Sequence, residues 1–104
     1  MRSVINRAYY AAFAEASTYA TRNRYHGPGS RSPHRGVWAF IARIPDSDRR
    51  RRAMRAAIRG HARWLQEERE KADYRLNKNI GRETPTEAMR VAKRIVDTLD
   101  ELTP

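Results

Sequence analysis

Three residues near the end of a long arginine-rich segment combine types and a spacing that could do chemistry. Arg69, Asp73 and Tyr74 lie in the stretch EREKADYR, residues 68–75. In a helix, Arg69 and Asp73 would share one face, because they are four residues apart, and Tyr74 would lie about 100° further round. A guanidinium can hold a phosphate, and a carboxylate can orient its partner. The alternative is an intrahelical ion pair, which stabilises little when exposed.

Histidine is the side chain best suited to proton transfer near neutral pH, and His34 is the strongest candidate. It follows a basic segment rich in glycine and proline, residues 23–33, and loops of this kind often carry function. His61 follows Arg55 by six residues, but it falls on the apolar line of a predicted helix and is better interpreted as a half-buried histidine. A solvent-facing histidine at a helix start is the alternative for His34.

The stretch DRRRRAMRAAIRGHAR, residues 48–63, contains seven arginines between positions 49 and 63. Like charges four residues apart destabilise a helix, and positive charge near its N-terminus opposes the macrodipole. The pattern therefore indicates a phosphate-binding surface, unless acidic residues elsewhere, such as those of the last predicted helix, neutralise it. The predicted nucleic-acid-binding residues are Arg31, Arg35, Arg52, Arg55, Arg59, Arg63 and Arg75.

The composition supports a single folded domain over residues 1–104 with a polyanionic partner. The net charge is +10 and hydrophobic residues make up 39% of the chain, enough for a modest core. The absence of cysteine excludes disulfides and thiolate metal sites. No signal-peptide or membrane-spanning run is found, so a cytoplasmic protein is expected. Metal-ligand spacing, glycine-rich phosphate loops and paired catalytic carboxylates are also lacking, so we expect no metal and no cofactor.

Apolar residues at spacings of three and four predict four helices, over about 3–23, 34–43, 46–77 and 84–102. The last one has the clearest start, because Thr84 can cap it and Pro85 suits its first position. We expect an all-α, antiparallel up-down four-helix bundle. In up-down-up-down order, His34 lies at the same end as Arg69, whereas Asn6, Arg7 and the arginines at 49–52 lie towards the other end.

Three stretches together resemble the HEPN-domain family, small all-α domains of bacteria and archaea. INRAYYAAFAEA, residues 5–16, is similar to the family's first-helix signature. HRGVW, residues 34–38, and REKADYR, residues 69–75, are similar to later motifs of one branch, in the same order. The resemblance covers residues 5–76, about two thirds of the chain.

The resemblance implies a helical bundle, usually a homodimer with a polar cleft between protomers. Many members are metal-independent ribonucleases that act as toxins or in defence. Others partner a nucleotidyltransferase, or only bind. Nuclease members have an arginine followed, after four to six residues, by a histidine, whereas no histidine follows Arg69 here.

His34 could replace that histidine. The resulting hypothesis is one polar cluster in which Arg69 holds a phosphate of RNA, His34 is general acid or base, Asp73 orients one of them, and Tyr74 completes the site. Two alternatives stay open. One is a non-catalytic binding subunit for a nucleotidyltransferase, an antitoxin or another protein. The other is a structural bundle whose basic face is only solvated.

Overall fold

The computed structural model describes residues 4–26, 33–78 and 85–104, without the side chains of Pro33, Pro85 and residues 73–78. It contains four helices: α1 (Val4–Arg22), α2 (Pro33–Ala42), α3 (Arg49–Lys78) and α4 (Pro85–Leu102). The described residues contain no strand. The prediction of an all-α chain with four helices is therefore confirmed. α4 begins at Pro85 as expected, while Thr84 lies outside the described residues.

One shared core holds the four helices together. Most of the apolar residues that α1, α3 and α4 contribute are buried, while Ala8, Met54 and Val91 are only partly buried against them, and α2 adds three more core residues. Those from α2 are Val37, Trp38 and Ile41. His61 is half-buried, and burial together with the charge of Arg94 lowers its pKa. Its interpretation as a half-buried histidine agrees with this position.

Two aspartates before α3 compensate the arginines of its first turns. The carboxylate of Asp48 accepts hydrogen bonds from the backbone N–H of Arg50 at 2.8 Å and of Arg51 at 3.3 Å, so Asp48 is the N-cap. The carboxylate of Asp46 binds Arg51 Nε at 2.8 Å and Arg55 Nη1 at 2.9 Å. The pKa of Asp46 is held far below its ordinary range by the backbone N–H of Asp48 and then by these two arginines.

The buried arginine of this group, Arg55, also contacts α1. Its side chain is almost fully buried, and its Nε donates to the hydroxyl of Tyr19 at 3.2 Å. By contrast, the pair between Arg50 and Glu101 of α4 is 3.4 Å long and exposed, so it contributes little. The compensating charge therefore comes mainly from the residues before α3 rather than from α4.

Contacts between helices give their directions. Tyr19 contacts Arg55, and Tyr10 contacts Arg69, so α1 and α3 are antiparallel. Arg51 Nη2 donates to the carbonyl of Leu102 at 3.0 Å, so α3 and α4 are antiparallel too. α1 and α4 therefore run in the same direction. The strict up-down-up-down order predicted from the sequence is wrong, because it requires α1 and α3 to be parallel.

The turn after α1 and the length of the following link explain this difference. Arg24 has a left-handed backbone with a φ of 71°, and the N–H of Tyr25 bonds to the carbonyl of Ala20 at 2.9 Å, which closes α1 in a Schellman motif. Ten residues, 23–32, separate α1 from α2. Such a link can span about 33 Å, more than the roughly 28 Å length of α1. The chain can therefore return along α1 before α2 begins.

α2 consequently runs in the same direction as α1. Its first residues lie beside the middle of α1, and Phe40 packs on Tyr25, just beyond the end of α1, at 4.9 Å between ring centres. Because α1 and α3 are antiparallel, the start of α1 lies towards Arg69. The predicted placement of Asn6 and Arg7 away from Arg69 is wrong, whereas the arginines at 49–52 do lie at the opposite end.

The Asp46 network predicts how stability depends on pH. Because its folded-state pKa is depressed, Asp46 stabilises the fold fully above its unfolded pKa of about 4, and this contribution is lost as the pH falls. We expect Asp46→Asn to lower the free energy of unfolding at pH 7 and to weaken the loss between pH 7 and pH 3. Urea unfolding at both pH values measures this.

Asp97→Asn is the matched control, because Asp97 forms an exposed pair with Lys93. It should keep the stability and the pH dependence of the unchanged protein. An unchanged loss of stability in acid for Asp46→Asn would contradict the assignment.

Candidate functional site

Arg69 lies against two neighbouring tyrosines of α1. Its Cζ is 5.0 Å from the ring centre of Tyr9 and 5.4 Å from that of Tyr10, within the range of cation–π attraction. Its Nη1 donates to the Tyr10 hydroxyl at 2.9 Å. Its Nε is buried and has no hydrogen-bond partner among the described residues. Within the described part of the chain no carboxylate pairs with Arg69, and the side chain of Asp73, one turn further along α3, lies outside that part.

His34, at the start of α2, is packed among the same rings. It stacks on Phe13 with ring centres 4.0 Å apart and planes 9° apart, and it is nearly parallel to Tyr9 at 5.5 Å. The ring of Tyr10 meets it edge-on at 5.6 Å. These three ring contacts with α1 fix the orientation of the imidazole.

A short line of hydrogen bonds joins α2 to α1 beneath His34. The Nδ1 of His34 is 2.8 Å from the hydroxyl oxygen of Tyr9. The same oxygen accepts a hydrogen bond from Nε1 of Trp38 at 3.2 Å. Tyr9 is fully buried, so these two contacts satisfy a hydroxyl that would otherwise be costly to bury. We call the whole group the aromatic site: Tyr9, Tyr10, Phe13, His34, Trp38 and Arg69.

The charge of Arg69 and the burial of the rings shift the titration of the aromatic site. Burial, and then the positive charge of Arg69, lower the pKa of His34. Burial raises the pKa of Tyr9 and outweighs the opposing effects of the Trp38 hydrogen bond and Arg69. At neutral pH the His34 imidazole and the Tyr9 phenol are therefore neutral beside the positive charge of Arg69.

Two of the four predicted catalytic residues, His34 and Arg69, are thus brought together. Asp73 and Tyr74 belong to the next turn of α3, but their side chains lie outside the described part of the structure. The side chain of Arg75 lies outside it as well, and so does the whole of Arg31.

A basic groove between α2 and α3 continues from the aromatic site. It has a volume of about 410 Å³. Trp38 belongs to both places, Arg35 follows His34 in the chain, and Gln66 precedes Arg69 by one turn. We call it the α2–α3 groove, and its lining residues are Arg35, Trp38, Arg59, Arg63 and Gln66.

The predicted arginine surface is divided by the fold. Arg59 and Arg63 are exposed in the α2–α3 groove, one helical turn apart. Arg55 is only 4% exposed and paired with Asp46, so it faces the core and does not lie on a surface with the other two. Arg52 is exposed, and its Nη1 donates to the backbone carbonyl of Asp46 at 2.7 Å, towards the other end of α3.

Four residues of the aromatic site were not predicted as functional: Tyr9, Tyr10, Phe13 and Trp38. Helical periodicity accounts for Tyr9 and Trp38 as core positions, and it gives no reason to expect a polar role for a buried hydroxyl. The signal that could have found them is their membership of the motif stretches RAYYAAF and HRGVW.

Comparison of the chain with known proteins finds no relatives. No protein-family model matches the chain, and no curated protein or solved structure matches it either. Among the described residues, no three His, Cys, Asp or Glu side chains group closely enough to hold a metal ion. None of the helices, as far as they are described, is long and apolar enough to cross a membrane.

The proximity of Arg69 predicts the titration of His34. We expect Arg69→Gln to raise the pKa of His34 towards its ordinary value, because the neighbouring positive charge that disfavours the imidazolium is removed. The rise should be partial, since burial remains. Histidine ring signals followed by NMR from pH 4 to pH 8 measure it.

Arg50→Gln is the control, because Arg50 is an exposed residue at the opposite end of α3. It should leave the titration of His34 unchanged. Equal titration curves for the two variants would contradict the coupling of Arg69 to His34.

Proposed function

We propose that this chain is an RNA-binding protein of HEPN-like type that cleaves RNA without a metal ion. The observation that carries the proposal is the placement of Arg69 beside His34 in a surface site that opens into the α2–α3 groove. The toxin or defence role and the homodimer rest on the resemblance alone. The electrostatics and geometry of the described residues support the first step, the binding of a phosphate.

The meeting of three sequence motifs at one place supports the proposal. Residues 5–16 supply Tyr9, Tyr10 and Phe13, residues 34–38 supply His34 and Trp38, and residues 69–75 supply Arg69. These stretches belong to three different helices. Core packing explains the buried rings, but it does not explain why an arginine and a histidine meet above them.

The α2–α3 groove supports a polymeric ligand rather than a single phosphate. Its three arginines face a space next to the aromatic site, and Arg59 and Arg63 are separated by about 6 Å along the helix axis. Such a row can follow the phosphates of one strand. Exposed Tyr10 offers a ring on which a base can stack at the same end.

The cleavage step would use the 2′-hydroxyl of the RNA itself. Its oxygen attacks the neighbouring phosphorus, the bond to the 5′ oxygen breaks, and a 2′,3′-cyclic phosphate and a 5′-hydroxyl result. The proton lost by the 2′-hydroxyl balances the proton gained by the 5′ oxygen. Arg69 would stabilise the charge that builds up on the phosphate oxygens, which is commonly the largest catalytic effect in such sites.

A non-catalytic RNA-binding protein is the second candidate, and one observation favours it. The Nδ1 of His34 is occupied by Tyr9, and the ring is stacked on Phe13. This arrangement suits a fixed hydrogen-bond donor better than a base that must take up a proton. A binding subunit for a nucleotidyltransferase or an antitoxin would belong to this second class.

The arginines of the α2–α3 groove predict how the affinity for RNA depends on salt concentration. Replacing Arg35, Arg59 and Arg63 together by glutamine should weaken binding to single-stranded RNA. It should also reduce the slope of log affinity against log salt by about 2, or roughly 0.7 for each phosphate contact. Fluorescence anisotropy from 50 to 300 mM salt measures it.

A triple variant at Arg50, Arg90 and Lys93 loses the same charge from other surfaces and is the control. Its slope should stay near that of the unchanged protein. Equal reductions in both triple variants would mean that net charge alone draws the RNA.

Cleavage makes a separate prediction. In the presence of EDTA, Arg69→Ala should reduce the rate at least about 100-fold, as the loss of a donor to developing negative charge does. His34→Ala should reduce it by about 10- to 100-fold. Gel analysis of a labelled oligonucleotide, with detection of the cyclic phosphate terminus, measures both.

Cleavage that persists equally in the two variants would rule out this site as its source. Salt-sensitive RNA binding without cleavage by the unchanged protein would favour the non-catalytic candidate.

A further inference from the structure

The hydrogen-bond line from Trp38 through Tyr9 to His34 has a definite direction. An indole N–H can only donate, so the oxygen of Tyr9 accepts from Trp38. The single proton of the Tyr9 hydroxyl then needs an acceptor of its own. Among the described residues, the acceptor in reach is Nδ1 of His34, at 2.8 Å.

The reverse arrangement is unfavourable. If Nδ1 of His34 carried a proton, the Tyr9 oxygen would accept twice, and its own proton would be left without a partner in a fully buried position. An unsatisfied buried donor destabilises a protein, because it loses its hydrogen bond to water and gains none in exchange. An imidazolium would have the same defect and would add a positive charge beside Arg69. The phenol itself stays protonated, because burial raises the pKa of Tyr9.

We propose that Tyr9 is a positioning residue that holds His34 in its neutral form, with the proton on Nε2, so that His34 donates one hydrogen bond to a phosphate oxygen of RNA. This role replaces the general acid or base expected from the sequence, because the lone pair of the neutral ring lies on Nδ1 and already accepts the proton of Tyr9. The identity of the ligand rests on the proposed function, whereas the tautomer of His34 does not.

The ring of Tyr10 shows where the ligand would approach. It lies against both partners, 5.6 Å from the His34 ring and 5.4 Å from Cζ of Arg69, and it is 38% exposed. Arg69 can form a charged, bidentate hydrogen bond to a phosphate. A neutral N–H of His34 beside it would orient the phosphate without requiring a second charge to be desolvated.

The first test concerns the tautomer, and it needs no RNA. Long-range proton–nitrogen NMR spectra of the full chain, labelled with nitrogen-15 in histidine, separate protonated from unprotonated ring nitrogens. His34→Gln identifies the signals. At pH 7 we expect Nε2 protonated and Nδ1 unprotonated in the unchanged protein. In Tyr9→Phe, which keeps the ring and removes the hydroxyl, we expect a mixture of tautomers.

A protonated Nδ1 in the unchanged protein would overturn the inference, and so would an unaltered tautomer in Tyr9→Phe. If Tyr9→Phe does not fold, because Nε1 of Trp38 also loses its acceptor, the spectrum of the unchanged protein still decides the matter.

The second test concerns the role of His34 and uses its two substitutions. Glutamine places an amide N–H near the position of Nε2 but cannot shuttle a proton, whereas alanine does neither. With 2′-O-methyl RNA, which cannot be cleaved, His34→Gln should bind within about twofold of the unchanged protein and His34→Ala about tenfold more weakly. On cleavable RNA, His34→Gln should keep most of kcat.

A kcat that falls equally in the glutamine and alanine variants would show that His34 moves a proton and would overturn the donor role. Equal binding of 2′-O-methyl RNA by all three proteins would also overturn it. Failure of the unchanged protein to bind this RNA at all would refute the proposed function, while the tautomer measured by NMR would still stand.

Discussion

The buried hydroxyl of Tyr9 is the constraint on which the arrangement of this molecule depends. A phenol at zero exposure must find partners for both its oxygen and its proton. Trp38 and His34 provide them, and both come from α2. The same ring receives the guanidinium of Arg69 from α3. One side chain of α1 thus fixes where α2 lies and where Arg69 points.

Two tyrosine–arginine hydrogen bonds join α1 and α3, and the two arginines lie in different surroundings. Near the end of α1, Tyr19 binds Arg55, whose charge is matched by Asp46 and is almost fully buried. Nearer its start, Tyr10 binds Arg69, which lacks a carboxylate partner among the described residues. A compensated charge holds the helices in place. The guanidinium of Arg69 lies instead against the rings of Tyr9 and Tyr10.

The helices could be predicted from the sequence because each has its own 3.6-residue pattern and, for α4, a proline start signal. The directions of the helices could not be predicted, since they depend on where α2 begins relative to α1 after the ten-residue link. His34 and Arg69 do meet as expected, although the predicted helix order that suggested it is wrong. The roles of Tyr9 and Asp46 depend on hydrogen-bond partners up to 29 residues away, and Tyr9 also contacts Arg69 of α3. No local pattern encodes such pairings.

α2 and α4 lie on opposite sides of the α1–α3 pair and make no contact with each other among the described residues. α4 closes the core with a purely aliphatic face of Ala88, Ala92, Ile95, Leu99 and Leu102. Substitutions on the two helices should therefore combine additively. The outer surface of α4 can therefore change without altering the contacts among Tyr9, His34 and Trp38 on the α2 side.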